Sequence, residues 1–229
     1  MLLQINKIKI YTYILAFIFL TTISNINFHR LIKEKFLINN IHIKTNKLKT
    51  DNKILDKLKL LQNTNILSLQ KPDILFILNE FKFLENIRIK KIYPSTLVFQ
   101  ANETLILATT FINQKKYYVG NNGAFISPKY LQIKKKLPII FGNFETQDFL
   151  FLINLMKKNN VNYQKINKYY YHKSKRWDLY FDNNIQVKLP NNNIINAIEI
   201  YKNFLNNNPE KSNLIIDLRV NNRIILTNE

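Results

Sequence analysis

The 229-residue chain contains no cysteine, which excludes disulfides, thiolate nucleophiles and cysteine-based zinc sites. Glycine is nearly as scarce, with Gly120, Gly123 and Gly142 the full complement. Phosphate-cradling loops and nucleophile elbows need clustered glycines for close backbone approach and strained turns, and the sequence has no such cluster. His29, His42 and His172 are too dispersed to suggest a metal site. Acidic residues are also few, 15 against 34 Lys and Arg, giving a formal net charge of +19. A charge of that size ordinarily points to nucleic acid or an anionic membrane surface. Here, however, 29 of the 34 basic residues are Lys and 5 are Arg, beside 35 Asn, 35 Ile and 5 Ala. Lys and Asn occur throughout and not on one stripe, as expected when AT-rich codons dictate residue choice. The charge therefore reads as compositional background.

From Ile10 to Phe28 no residue is charged, and IYTYILAFIFLTTISNINF is apolar apart from Thr, Ser and two late Asn. Nineteen residues at about 1.5 Å each reach roughly 28 Å, close to the thickness of a bilayer's hydrocarbon core, so a transmembrane helix is expected over 10–28. A cleavable signal peptide is the alternative. Against it, no A-x-A-like site follows, and Ala16 is the only alanine before Ala101. Lys7 and Lys9 precede the run and Arg30, Lys33 and Lys35 follow it, so flanking charge does not set the orientation. A short tail is easily retained, which favours residues 1–9 in the cytoplasm and 29–229 outside. In an oxidising space without disulfides, the outer part must be held by ordinary cores.

Beyond the anchor the periodicity changes in a definite order. FLINNIHIK alternates around Ile41 and Ile43 and reads as a strand. Thr50 and Asp51 can cap a helix carrying Ile54, Leu58 and Leu61, and Pro72 opens a second with Ile74, Leu78 and Phe81. NIRIKKI and TLVFQANE follow as strands around Tyr93-Pro94-Ser95, completing a β-α-α-β-β module. The remainder is mainly β: ILATTF, KKYYV, a GNNG turn, AFI and LPIIFG. A helix marked by Asn143 and Glu145 follows, with Phe149, Leu152, Ile153 and Met156 on its apolar face. VNYQKINKYYYH, RWDLYF and NIQVKL read as successive antiparallel strands, the last two joined at Asp182-Asn183-Asn184. A further helix bears Ile194, Ile198, Tyr201 and Phe204/Leu205. NLIIDLRV and RIILT close the chain as a hairpin around Asn221-Asn222.

These segments carry a resemblance. KIYPSTL resembles the K-x-W/Y-P-x-x-L of the FtsQ/DivIB family of bacterial cell-division proteins, with Tyr93, Pro94 and Leu97 in register. ETLILA is similar to the family's E-R-x-P-I-A at Glu103 and Ala108, and YYVGNNGAFI to V-D-x-x-G at Val119 and Gly123. LPIIFG is similar to L-P-x-x-x-G at Leu137, Pro138 and Gly142. RWDLYFDNNIQVKLP resembles W-x-L-x-L-x-(N/D)-x-I-x-(V/L)-x-L at Trp177, Leu179, Ile185 and Leu189. IIDLRVNNRIIL resembles the closing (V/I)-D-L-R pair at Asp217, Leu218 and Arg219. Departures fall at Thr45-Asn46, where the family has Gly-Asn, and at Thr104, Ile106 and Gly120.

The resemblance implies an α+β fold: a single N-terminal transmembrane helix (10–28), a small β-α-α-β-β POTRA module (36–103) and a β domain (104–229) with two helices and a closing β-hairpin. It implies a single-pass inner-membrane scaffold of the division septum with its bulk in the periplasm, linking early and late components without catalysis, cofactor or small-molecule substrate. The implied partners are FtsB and FtsL, small coiled-coil proteins, together with other divisome membrane proteins. A terminal strand such as Asn222–Leu226 leaves a row of N–H and C=O groups open, to which a partner segment can add. The family places that contact on the last strand pair, which carries over to Arg219, Val220, Asn222, Arg223 and Ile224. Lys175, two before Trp177, matches a basic family position suited to a partner carboxylate.

Rival readings are weaker. Glu103, Asp148, Asp178 and Asp217 fall in separate elements without a supporting His, which disfavours an enzyme. KKYY at 115–118 and KYYYHKSKRW at 168–177 superficially suit nucleic acid, yet aromatic-rich strands of this kind are ordinarily sheet core and face. A POTRA-containing envelope protein that assists assembly of other membrane proteins is the alternative, but an accompanying barrel would need many more strands.

Overall fold

The computed structural model describes residues 7–22, 34–45, 51–131, 133–208 and 212–228. The chain divides into two compact units, one comprising Met1–Glu80 and Asn86–Ala101, the other Phe81–Glu85 and Asn102–Glu229. Helix α1 is Lys7–Thr22, 16 residues free of Gly and Pro. It begins three residues ahead of the expected Ile10, and residues 23–28 of the apolar run lie outside the described residues. Among the described residues no helix is long and apolar enough to cross a membrane. Ile8, Tyr11, Leu15, Phe17 and Phe19 are all exposed around it, so α1 has no polar face of the kind that lets a surface helix pack on its own domain.

In the first unit, strand β1 (Asn40–Thr45) leads to helix α2 (Asp51–Leu58), a 3-10 turn (Lys59–Leu61), helix α3 (Lys71–Ile77) and the greater part of β2 (Leu84–Ile92) and β3 (Thr96–Glu103). Asn46 and Thr50 lie outside the described residues, and with them the turn and cap expected there. Ile54, Leu58 and Leu61 recur at helical spacing and are buried, as are Ile74 and Leu78. The start of α3 is fixed by the Gln70 N–H, which donates to Asp73 Oδ2 at 2.8 Å, with Pro72 in the first turn, where its missing N–H costs nothing. The sheet order is β1-β3-β2, with β1 parallel to β3 from Asn40↔Thr96 to Thr45↔Ala101.

The second unit is built on a nine-stranded sheet. Its strands are β4 (Ile106–Ile112), β5 (Lys115–Gly120), β6 (Phe125–Ile126), β7 (Ile139–Phe141), β8 (Ile166–Tyr171), β9 (Trp177–Phe181), β10 (Ile185–Lys188), β11 (Leu214–Asp217) and β12 (Ile225–Asn228). Their order is β12-β11-β10-β9-β8-β7-β4-β5-β6. Helix α4 (Thr146–Lys158) connects β7 to the parallel β8, and α5 (Ile194–Asn207) connects β10 to the parallel β11. Parallel neighbours need such crossovers, so each helix is the link that lets two strands align.

One register row, Ile140–Tyr169–Leu179–Val187–Ile216–Leu226, crosses the sheet from β7 to β12. Its first five residues share a buried core with Phe149, Leu152, Ile153 and Met156 of α4 and Ile198, Tyr201 and Phe204 of α5. The adjacent row, Phe141–Tyr170–Asp178–Lys188–Asp217–Ile225, points to the opposite face, because successive strand residues alternate.

Candidate functional site

Register fixes where the loops of the second unit gather. Asp178 at the start of β9 pairs with Lys188 at the end of β10, Lys188 with Asp217 at the end of β11, and Asp217 with Ile225 at the start of β12. The β8–β9 turn (172–176) and the β11–β12 connection (218–224) therefore lie at one end of the sheet. All six candidate residues, Lys175 in the first loop and Arg219, Val220, Asn222, Arg223 and Ile224 in the second, belong to that end.

The closing hairpin differs from the sequence expectation. Its connection spans seven residues, and the edge strand is Ile225–Asn228 in place of Asn222–Leu226. A two-residue type I′ turn needs two consecutive residues at positive φ, and of the Asn pair only Asn222 adopts it, at 58°. Three contacts hold the chain out of a tight turn. The Leu218 side chain is buried while its N–H donates to the Lys188 carbonyl at 3.0 Å. The Arg219 N–H turns back to Asp217 Oδ1 at 3.0 Å. Asn196 on α5 donates through Nδ2 to Asn222 Oδ1 at 2.8 Å. Arg219, Val220, Asn222 and Arg223 are exposed in this loop, and Ile224 is partly buried against the core.

Two positions apart in NLIIDLRV, Asp217 and Arg219 would share a face if the strand ran on through both. Instead, β11 ends at Asp217 and the guanidinium folds back over the carboxylate. Nε donates to both oxygens at 2.8 and 2.9 Å, and one terminal nitrogen donates to Oδ2. That hydrogen bonding holds the Asp217 carboxyl below the usual aspartate range, with burial opposing and the charge of Lys188 assisting. Lys175 sits at φ 57° in the β8–β9 turn and is exposed. It lines a cleft with Asp148, Phe151, Tyr171, Trp177, Asn191 and Ile194. There the Tyr171 hydroxyl donates to Asp148 Oδ2 at 2.9 Å, and burial first, then that bond, pushes the phenol up to about 12.

Asp178, set aside in the sequence as an isolated carboxylate, has neighbours at this sheet end. It is buried at 5 % exposure, and its neighbours are cationic: Lys188 is its register partner, Arg176 Nε lies 3.9 Å from Oδ1, and Arg219 is within electrostatic reach. His172 Nε2 lies 2.9 Å from Asp178 Oδ2 without hydrogen-bond alignment. The premise that no His supports these carboxylates is thereby corrected, since the β8–β9 turn brings back a residue six positions away. A signal was present: in WDLYF, period 2 puts Asp178 on the face opposite Trp177, Leu179 and Phe181, where its neighbours come from other strands.

At the outer edge, β12 pairs with β11 and, among the described residues, with no other strand. Its four residues are exposed, Ile225 at 46 % and Leu226 at 42 %. Leu226 is thus the last member of the core row and the one left uncovered. Among the described residues no group of three or more His, Cys, Asp or Glu is placed to hold a metal ion.

Residues 110–219 match the family described as "Cell division protein FtsQ/DivIB, C-terminal". No curated protein matches the sequence. Among solved structures, the chain is similar to the major extracytoplasmic domain of the trans isomer of the cell-division protein DivIB from Geobacillus stearothermophilus. The two are 12 % identical, over 48 % of this chain and 97 % of that one, with a TM-score of 0.31, a likeness too slight to bear on the fold.

Proposed function

Residues 110–219 match the FtsQ/DivIB C-terminal domain, and from that likeness we propose that the chain is a membrane-anchored, non-catalytic scaffold of the bacterial division septum. Residues 10–28 span the inner membrane with 1–9 in the cytoplasm. Residues 36–103 form a POTRA module, and 104–229 form the periplasmic domain that binds FtsB and FtsL. The all-round apolar surface of α1 supports the anchor, since in water it would leave Phe17, Phe19 and Leu20 wet.

One observation carries the partner site: the buried apolar row of the large sheet runs out at Leu226 on an open edge strand. A partner strand added to β12 would pair its free N–H and C=O groups and continue the row, covering Leu226. Loop 218–224 and Lys175 stand at the same sheet end to meet polar and acidic side chains of that partner. The test is co-purification of the full chain from membranes in mild detergent. FtsB and FtsL should accompany it, and the chain should resist carbonate extraction. A soluble product beginning near residue 30 would refute the anchor, and an anchored chain that brings down neither protein would refute the partner reading.

A further inference from the structure

The first unit has a definite end at which the chain enters it, and that end is apolar. Residues 36–38 pair with the link between α2 and α3: Ile38 N–H donates to the Thr64 carbonyl at 2.9 Å, Asn63 N–H to Ile38 at 3.1 Å and Ile66 N–H to Phe36 at 2.8 Å. The β2–β3 turn is at the same end, because the Asn39 and Asn40 N–H groups both donate to the Ser95 carbonyl, at 3.0 and 3.2 Å. Phe36 and Tyr93 meet edge to face, 6.3 Å between centroids. Around this point Leu67, Ile92 and Tyr93 are 51, 44 and 56 % exposed. Lys35 and Lys90 are exposed beside them, while Lys91 Nζ donates to the Leu69 carbonyl at 2.6 Å.

We propose that this end of the module, Leu67, Ile92 and Tyr93 flanked by Lys35 and Lys90, rests on the bilayer surface as a lipid contact. The inference rests on the anchor reading, which supplies the occupant. If the span ends at Phe28, the eight residues to Phe36 reach at most about 29 Å fully extended, so this end is tethered within that distance of the bilayer and is the part of the module held nearest to it. The chemistry fits that zone: Tyr has an apolar ring and a wet hydroxyl, Leu and Ile partition into the acyl boundary, and Lys stems extend outward to anionic headgroups.

The absence of native cysteine makes single-site labelling clean. Full-length Tyr93→Cys, Leu67→Cys and Gln100→Cys, each carrying a polarity-sensitive fluorophore, are reconstituted into phosphatidylcholine vesicles with about 30 mol % phosphatidylglycerol and lipid spin-labelled near the headgroup. Gln100 is exposed on β3, four residues beyond Thr96 and away from the turn. The labels at 93 and 67 should be blue-shifted and quenched at least twofold more than the label at 100. In Lys35→Glu/Lys90→Glu chains the difference should shrink, and more so in the anionic vesicles than in neutral ones. Equal quenching at all three positions in a chain that resists carbonate extraction overturns the lipid contact and leaves the anchor standing. A chain stripped by carbonate overturns both. Protection that follows protein density in the vesicles and ignores lipid charge also overturns the contact, in favour of contact between copies.

Discussion

Three glycines are too few for the left-handed turns this fold needs, and asparagine takes their place. Among the described residues ten non-glycine positions have positive φ, and eight of them are Asn: 63, 86, 113, 160, 184, 193, 213 and 222. Asn tolerates this region better than other L-residues because its short amide can bond locally. Asn160 shows the mechanism. It follows α4 at φ 57°, its N–H donates to the Lys157 carbonyl at 3.1 Å, and the Val161 N–H donates to Met156 at 2.9 Å, the two bonds of a Schellman end. Asn160→Gly should stabilise the domain by up to about 1 kcal/mol, and Asn160→Val should destabilise it by about 1–2 kcal/mol, read as denaturant midpoints at constant m. Gly142 is different: at φ 99°, a Cβ would lie 2.0 Å from the Tyr171 carbonyl oxygen. Gly142→Ala should therefore cost about 3 kcal/mol or more. At Asp217, the lowered carboxyl pKa means that the pair's contribution to stability is complete above the ordinary aspartate range and lost only as pH falls through the depressed native value. The Arg219 amide, which donates to that carboxylate, should titrate in NMR with a midpoint below the unfolded-state value. A midpoint at or above it would contradict the pairing.

Element identity was largely legible, because helices and strands here differ in period and the apolar residues keep to it. Ile54, Leu58 and Leu61, or Phe149, Leu152, Ile153 and Met156, are buried as their spacing requires. What local pattern does not encode is which strands become neighbours. The parallel pairings β7–β8 and β10–β11 arise from crossover through α4 and α5, and the Asp178–Lys188–Asp217 row exists only once that order is set. The closing loop was misread for a related reason, since contacts from Lys188 and Asn196, distant in sequence, outweigh the local Asn-Asn turn preference. The sharper edge test follows from the observed strand. Ile224 precedes the ladder and packs partly against the core, so Ile224→Pro would disturb the loop and that packing without testing the edge. In an antiparallel pair alternate N–H groups face the partner strand and the open side. Of Leu226→Pro and Thr227→Pro, the one whose N–H faces outward should stay folded and lose FtsB, while the other should loosen β12 itself. Lys175→Glu should weaken the same complex about tenfold, about 1.4 kcal/mol, with added salt narrowing the gap. Lys53→Glu, on an exposed face of α2, is the control. Lys57 on the same helix would serve less well, because it is paired with Glu80 at 2.8 Å.

For the molecule as a whole, the two units divide the labour of the proposed scaffold: one adjoins the anchor and the other ends in an unfinished sheet. The finished sheet is the central claim, and amide hydrogen exchange tests it most directly. The full chain in detergent is compared alone and with FtsB and FtsL bound. Open-edge amides in β12 should exchange freely when the chain is alone and be slowed at least tenfold by the partners, because each gains a hydrogen-bonded neighbour. Loop 218–224 and the turn at Lys175 should be slowed to a lesser degree. A stable complex in which β12 amides exchange as fast as in the free chain, with protection appearing elsewhere, would contradict strand addition at this edge.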